Sequence, residues 1–99
     1  MEILNFEFSA NRTPLKMTRV GCVGSGDLEI LMKPSTSGKT TIQVITSVDG
    51  SELRWKNLFE RIFLEQDTPA VHIDIHDFGA TPGVVRLRLE QAFEEVQHG

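Results

Sequence analysis

The apolar positions of this chain switch between two periods, and the switches outline its elements. Leu4, Phe6 and Phe8 alternate with Asn5 and Glu7, which predicts a strand over residues 2–9 with one buried face. Asn11-Arg12-Thr13-Pro14 breaks it. A second extended stretch runs over residues 18–24, is interrupted at Gly24-Ser25-Gly26, and resumes at residues 28–32, where Leu28, Ile30 and Met32 share a face. The pattern admits either a tight hairpin or one long strand with a bulge. Pro34-Ser35-Thr36-Ser37-Gly38-Lys39 reads as a polar turn. Residues 40–48 are rich in β-branched side chains and place Ile42, Val44, Thr46 and Val48 on one face, before Asp49-Gly50 ends the strand.

The period then changes from two to 3.6. Trp55, Leu58, Phe59, Ile62 and Phe63 make the stripe of an amphipathic helix that starts near Ser51, an N-cap residue, and is stopped by Asp67-Thr68-Pro69. Val71, Ile73 and Ile75 alternate with His72, Asp74 and His76, predicting a strand over residues 71–77. After the loop Asp77-Phe78-Gly79-Ala80, Thr81-Pro82 supplies a capping hydroxyl and a proline suited to the first helical position. Val85, Leu89, Ala92, Phe93 and Val96 form the buried face of this last helix. The order is β-β-β-α-β-α, with one further strand if the glycine-serine stretch is a hairpin. The strand-helix-strand unit over residues 40–77 makes a parallel pair by a right-handed crossover. The expected class is α+β: a small mixed β-sheet with two helices packed on one face, residues 1–99 forming one domain.

Composition narrows the partners. The formal net charge of −4 disfavours a nucleic-acid backbone as the main ligand and suits contact with other proteins. The single cysteine, Cys22, excludes an internal disulfide and any multi-cysteine metal site, and its alternation with Val20 predicts a buried, inert thiol. The N-terminal residues carry acids where a secretion signal has a basic patch, and no apolar run reaches membrane-spanning length, so a cytoplasmic protein without membrane contact is expected.

The candidate chemistry centres on Ser25, between Gly24 and Gly26. Glycine tolerates unusual backbone angles, so the hydroxyl is expected on a sharply turned, uncluttered loop. Three uses are open to it: a nucleophile, a phosphate site, or an attachment point. A small serine-dependent hydrolase needs a base, with His72, His76 or His98 as candidates, but the Gly-x-Ser-x-Gly spacing is absent because positions 23 and 27 are Val and Asp. A plain turn in a non-catalytic interaction module is the remaining alternative. Elsewhere, Gly38-Lys39-Thr40 lacks the earlier glycine of a phosphate-binding loop, since position 33 is Lys. Asp77-Phe78-Gly79 spells a kinase trio in a chain too short for a kinase. His72, Asp74 and His76 share one strand face, at spacings of about 7 Å that suit two metal ligands better than three; a solvated face is the plainer reading, and no metal site is assigned. Arg86 and Arg88 suit either a phosphate or pairing with Glu90 and Glu94.

Taken together, Val23-Gly24-Ser25-Gly26-Asp27-Leu28-Glu29, Thr46-Ser47-Val48-Asp49, Arg54-Trp55 and Ile75-His76-Asp77-Phe78-Gly79-Ala80-Thr81-Pro82-Gly83-Val84 resemble the acyl carrier (delta) subunit of bacterial malonate decarboxylase. The resemblance spans essentially the whole chain and shows no departure at the serine loop. It implies a non-catalytic carrier in which Ser25 bears 2′-(5″-phosphoribosyl)-3′-dephospho-coenzyme A through a phosphodiester, with Gly24 and Gly26 giving access to the loop. The thiol of that arm would carry acetyl, exchanged for malonyl by a malonyl transferase subunit, and decarboxylase subunits would release CO₂ and regenerate the acetyl form. A dedicated attachment enzyme is implied as well. Exposed acids such as Asp27, Glu29 and Asp49 are candidates for partner contact.

Overall fold

The computed structural model describes residues 1–9, 21–35, 38–65 and 70–98. Five strands and two helices follow in the order β1 (Glu2–Ser9), β2 (Gly21–Ser25), β3 (Leu28–Pro34), β4 (Lys39–Thr46), α1 (Glu52–Glu65), β5 (Val71–Asp77) and α2 (Pro82–His98). The α+β class, the mixed sheet and the strand-helix-strand unit are as the periodicity indicates. The glycine-serine stretch resolves to a hairpin: Ser25 pairs with Leu28 and Gly21 with Met32, so β2 and β3 are two antiparallel strands. The expected breaks at Asn11-Arg12-Thr13-Pro14 and Asp67-Thr68-Pro69, and the start of the second strand at residues 18–20, lie outside the described residues.

The sheet order is β1-β4-β5-β3-β2. β4 and β5 are parallel, joined by the α1 crossover, while the other neighbours are antiparallel. Register rows carry the core across the sheet: Leu4 opposes Val44, Val44 opposes Ile75, and Ile75 opposes Ile30. All four are buried, as are Leu28, Met32, Ile42, Val71 and Ile73. The intervening positions, such as Glu29, Lys33 and His76, are exposed. One face is thus covered by helices and the other is open, as an antiparallel-rich sheet allows.

Aromatic rings seal the covered face. Phe59 on α1 is fully buried, with ring centroids of Phe6, Trp55, Phe63 and Phe8 at 5.2, 5.7, 6.2 and 6.5 Å. Phe63 meets Phe93 of α2 at 5.9 Å, edge to face, which ties the two helices together. Of the predicted helix stripes, Trp55, Ile62, Val85, Leu89 and Ala92 are buried as well and Leu58 is half-buried, while the side chain of Val96 lies outside those described. At the start of α2 the amide of Val84 donates to Thr81 Oγ1 at 3.4 Å, the expected cap, and Pro82 is the first helical residue. Ser51 precedes α1 as expected, but its hydroxyl donates to the Val48 carbonyl at 3.1 Å, closing the turn behind it.

This topology gathers one end of the molecule. β2 is antiparallel to β3 and β3 to β5, so β2, β4 and β5 share a direction and finish at the same end with Ser25, Thr46 and Asp77. Both helices begin there.

Candidate functional site

Ser25 is the last residue of edge strand β2, and Gly26-Asp27 alone link it to Leu28. A two-residue connection usually relies on glycine for a left-handed backbone. Here it does not: the positive φ angles among the described glycines belong to Gly38 (75°), Gly50 (75°) and Gly79 (105°). The expected conformational role of the flanking glycines is therefore not the observed one. Space is the difference. A Cβ built on Gly26 would meet no atom within 4 Å, and one on Gly24 would make only ordinary contacts, 3.5 Å to Glu29 Cγ and 3.9 Å to the Leu28 carbonyl oxygen. Neither the backbone nor the packing of this chain requires glycine on either side of Ser25.

A buried carboxylate holds the neighbouring loop. Asp77 continues the covered parity of Val71, Ile73 and Ile75, and its residue is 1% exposed. Its Oδ2 accepts the Thr46 hydroxyl at 2.8 Å, and its Oδ1 accepts the amides of Gly79 at 3.1 Å and Ala80 at 2.9 Å. The left-handed Gly79 lets the chain curl around that carboxylate. The loop is then fastened to the serine hairpin, because the Phe78 amide donates to the Asp27 carbonyl at 2.9 Å. Phe78 remains 59% exposed beside the hairpin tip. The sequence places Asp77 at the end of the strand over residues 71–77 and a loop at Asp77-Phe78-Gly79-Ala80, without giving the carboxylate a partner. The missed signal was parity: an aspartate in the buried phase of a strand must find partners, and Gly79 and Ala80 supply them.

The other candidates are placed apart from Ser25. His72 lies on the open face, with Nε2 donating to Asp74 Oδ1 at 3.2 Å and Nδ1 accepting from Thr41 Oγ1 at 2.7 Å. A carboxylate only accepts, which fixes this tautomer for the neutral ring. A dish of about 400 Å³, lined by Asn5, Glu7, Thr41, Gln43 and His72 among others, lies over that part of the sheet. His76 is exposed and pairs in register with Glu29, one row from Ser25. The register thus puts no histidine in the row Ser25–Leu28–Asp77–Thr46. Among the described residues, no group of three or more His, Cys, Asp or Glu is arranged to hold a metal ion. Lys39 pairs with Glu7 at 3.0 Å, and the Thr40 hydroxyl accepts the Val71 amide at 3.4 Å, so the Gly38-Lys39-Thr40 turn serves the fold. Arg86 pairs with Glu90 at 3.4 Å, and Arg88 donates to Gln91 at 2.9 Å. Asp49 pairs with the N-terminal amine at 3.4 Å. The expected burial of Cys22 and the side chain of His98 lie outside the described side chains. Among the described residues no helix is long and apolar enough to cross a membrane.

Comparison with known proteins agrees with the resemblance. The family profile described as malonate decarboxylase delta subunit (MdcD) matches residues 15–96. The malonate decarboxylase acyl carrier protein of Pseudomonas fluorescens (strain SBW25) is 67% identical over 98 residues, 99% of each chain. That of Azotobacter vinelandii (strain DJ / ATCC BAA-1303) is 60% identical over the same span. Among solved structures, a chain in the crystal structure of a Pseudomonas malonate decarboxylase hetero-tetramer in complex with malonate superposes with a TM-score of 0.83. It is 64% identical, with coverage of 97% of this chain and 99% of that one. The chain belongs to the malonate decarboxylase delta subunit family, and is accordingly an acyl carrier protein rather than a catalytic subunit.

Proposed function

We propose that Ser25 is the attachment point of the acyl-carrying group, 2′-(5″-phosphoribosyl)-3′-dephospho-coenzyme A, joined through a phosphodiester. The observation that carries this reading is the bare hairpin tip. Ser25 ends an edge strand next to a glycine whose missing Cβ leaves open space, in a chain of the acyl carrier family. The open space at that glycine leaves room next to the attachment point for a bulky substituent. The group supplies a thiol that holds acetyl or malonyl as a thioester, whose carbonyl delocalises the charge left when CO₂ departs.

This chain's own residues present and steady the anchor. The β2–β3 pairing fixes the backbone of Ser25, and the Asp77-held loop braces the Asp27 side of the turn. No acid, base or oxyanion hole is required of them. The partners are the transferase and decarboxylase subunits of a hetero-tetramer like that of the Pseudomonas relative, to which the arm delivers its acyl group at high effective concentration.

Intact-mass analysis of the chain from malonate-grown Pseudomonas cells tests this. The chain should carry the adduct, and Ser25→Ala should carry none. An unmodified wild-type chain from such cells, or an adduct that survives Ser25→Ala, would sink the proposal.

A further inference from the structure

The end of the molecule where both helices begin holds a narrow crevice between them. Trp55 and Leu58 of α1 line one side, and Ala80, Pro82 and Val85 line the other, with Arg54 beside them. The recess measures about 200 Å³ including its open part, and its inner end admits about one water-sized group. The lining is mostly apolar, with two exceptions. Trp55 is 3% exposed, and its indole Nε1 is buried with no hydrogen-bond partner among the described residues. Arg88 Nε is in the same condition, but that guanidinium already donates to Gln91 through Nη1. A buried N–H without an acceptor is costly and calls for one from outside the fold. Arg54 is exposed and forms no ion pair among the described residues.

These walls ask for an occupant with an uncharged carbonyl oxygen for the indole, little bulk at its tip, and a negative charge for the guanidinium. A malonyl thioester has all three. An acetyl thioester has the carbonyl but no charge. A phosphate, or a carboxylate side chain of another protein, would carry its charge into the apolar end and lose its hydration there. The crevice is also within reach of the proposed anchor. Ser25, Leu28 and Asp77 share a register row, so Ser25 stands two strand spacings, about 10 Å, from the end of β5 that leads to Ala80. The proposed group holds its thiol at the far end of a flexible chain longer than that span, and tethering raises the local concentration of whatever the thiol bears.

We propose that this crevice shelters the malonyl thioester at the end of the arm carried by Ser25, with Trp55 Nε1 donating to the thioester carbonyl and Arg54 pairing with the free carboxylate. The inference rests on the carrier reading of Ser25. It gives the cargo a resting site on the carrier itself, away from water, between its encounters with other subunits.

The single tryptophan makes the test direct, because its indole gives one Nε1–H peak in a proton–nitrogen correlation spectrum. The isotope-labelled full chain is purified with its adduct from malonate-grown Pseudomonas fluorescens. Hydroxylamine frees the arm thiol, and exchange with the S-phenyl thioester of malonate or acetate then loads it. The indole peak should move downfield on malonyl loading and lie nearer its free-thiol position on acetyl loading. Arg54→Gln should lower the docked-to-free ratio of the malonyl form about two- to fivefold, as loss of an exposed ion pair does, and leave the acetyl form unchanged. Arg61→Gln is the control: Arg61 is also exposed, but lies two turns, about 10 Å, further along α1, and its loss should change nothing. Equal indole peaks in the thiol and malonyl forms overturn this inference alone, as they would if a water or a partner's backbone carbonyl were the acceptor. So do equal responses to acetyl and malonyl, or equal losses in the two arginine variants. A chain from such cells without any adduct overturns the carrier reading and this inference with it.

Discussion

Replacing Asp77 by alanine removes one side chain and orphans three donors. The Thr46 residue is fully buried and Ala80 is 5% exposed, so neither donor can turn to water without opening the structure. Gly79 is exposed, and its amide can be solvated. A buried donor left without its partner costs about 1–3 kcal/mol, with charged acceptors at the upper end. Two such donors, plus a smaller loss at Gly79, give about 3–5 kcal/mol for Asp77→Ala, reduced from the simple sum because the three bonds share one carboxylate. For a domain near 100 residues that corresponds to a fall in melting temperature of roughly 15–30 °C.

Asp77→Asn separates the contributions. The amide keeps an oxygen that can accept from Gly79 and Ala80, and only Thr46 must reverse its hydroxyl to accept a proton. The expected loss is about 1–2 kcal/mol. Urea denaturation read through Trp55 measures both variants, because the single tryptophan is 3% exposed when folded and becomes solvated on unfolding. Hydrogen exchange adds position: the amides of Phe78 and Ala80 should lose protection more than those of β1, since the carboxylate braces the loop and the loop braces the serine hairpin. A cost below about 1 kcal/mol for Asp77→Ala, or equal costs for the alanine and asparagine variants, would refute the assignment of Asp77 as the organising acceptor.

Two further perturbations follow from the same geometry. Phe59→Ala empties the centre of the ring cluster and should cost about 3–5 kcal/mol in chemical denaturation; a loss under about 2 kcal/mol would mean that the cluster collapses to fill the space. Gly26→Ala should leave stability within about 1 kcal/mol, because its added Cβ meets no atom within 4 Å and its backbone lies outside the left-handed region. The same variant should slow adduct formation at Ser25 by crowding the approaching enzyme, and an unchanged modification rate would remove access as the reason for glycine there.

The strands were legible because the sheet has one covered face. Apolar and polar positions alternate within β1, β3 and β5, and the predicted inward residues of β3 and β5 (Leu28, Ile30, Met32, Val71, Ile73 and Ile75) are all buried. The helix stripes were legible for the same reason at period 3.6. The sheet order was not, because alternation specifies which side a residue faces and says nothing about which strand lies next. β1 pairs with β4 and β5 inserts between β4 and β3, and both depend on long-range registers. The sequence leaves the choice between bulge and hairpin open for a related reason: a bulge and a two-residue turn differ in whether Ser25 opposes Leu28, a pairing that local sequence does not encode. At the candidate site the serine was visible from its neighbours, while its support was hidden, since Asp77 sits far along the chain and reaches the hairpin through Phe78.

The glycines sharpen what the fold does and does not explain. Gly38, Gly50 and Gly79 occupy left-handed backbone, so an L side chain at any of them strains the chain, and the fold accounts for their identity. Gly26 has ordinary backbone and open space around it, and Gly24 would tolerate a Cβ at van der Waals distance. Glycine in a strand or hairpin without a packing or torsional cause weakens that element through its unfolded-state entropy. The free chain would be no less stable with alanine at these two positions, so the fold by itself gives no reason for glycine at either. On the proposed carrier reading, an enzyme that must reach the backbone on both sides of Ser25 to modify it supplies that reason.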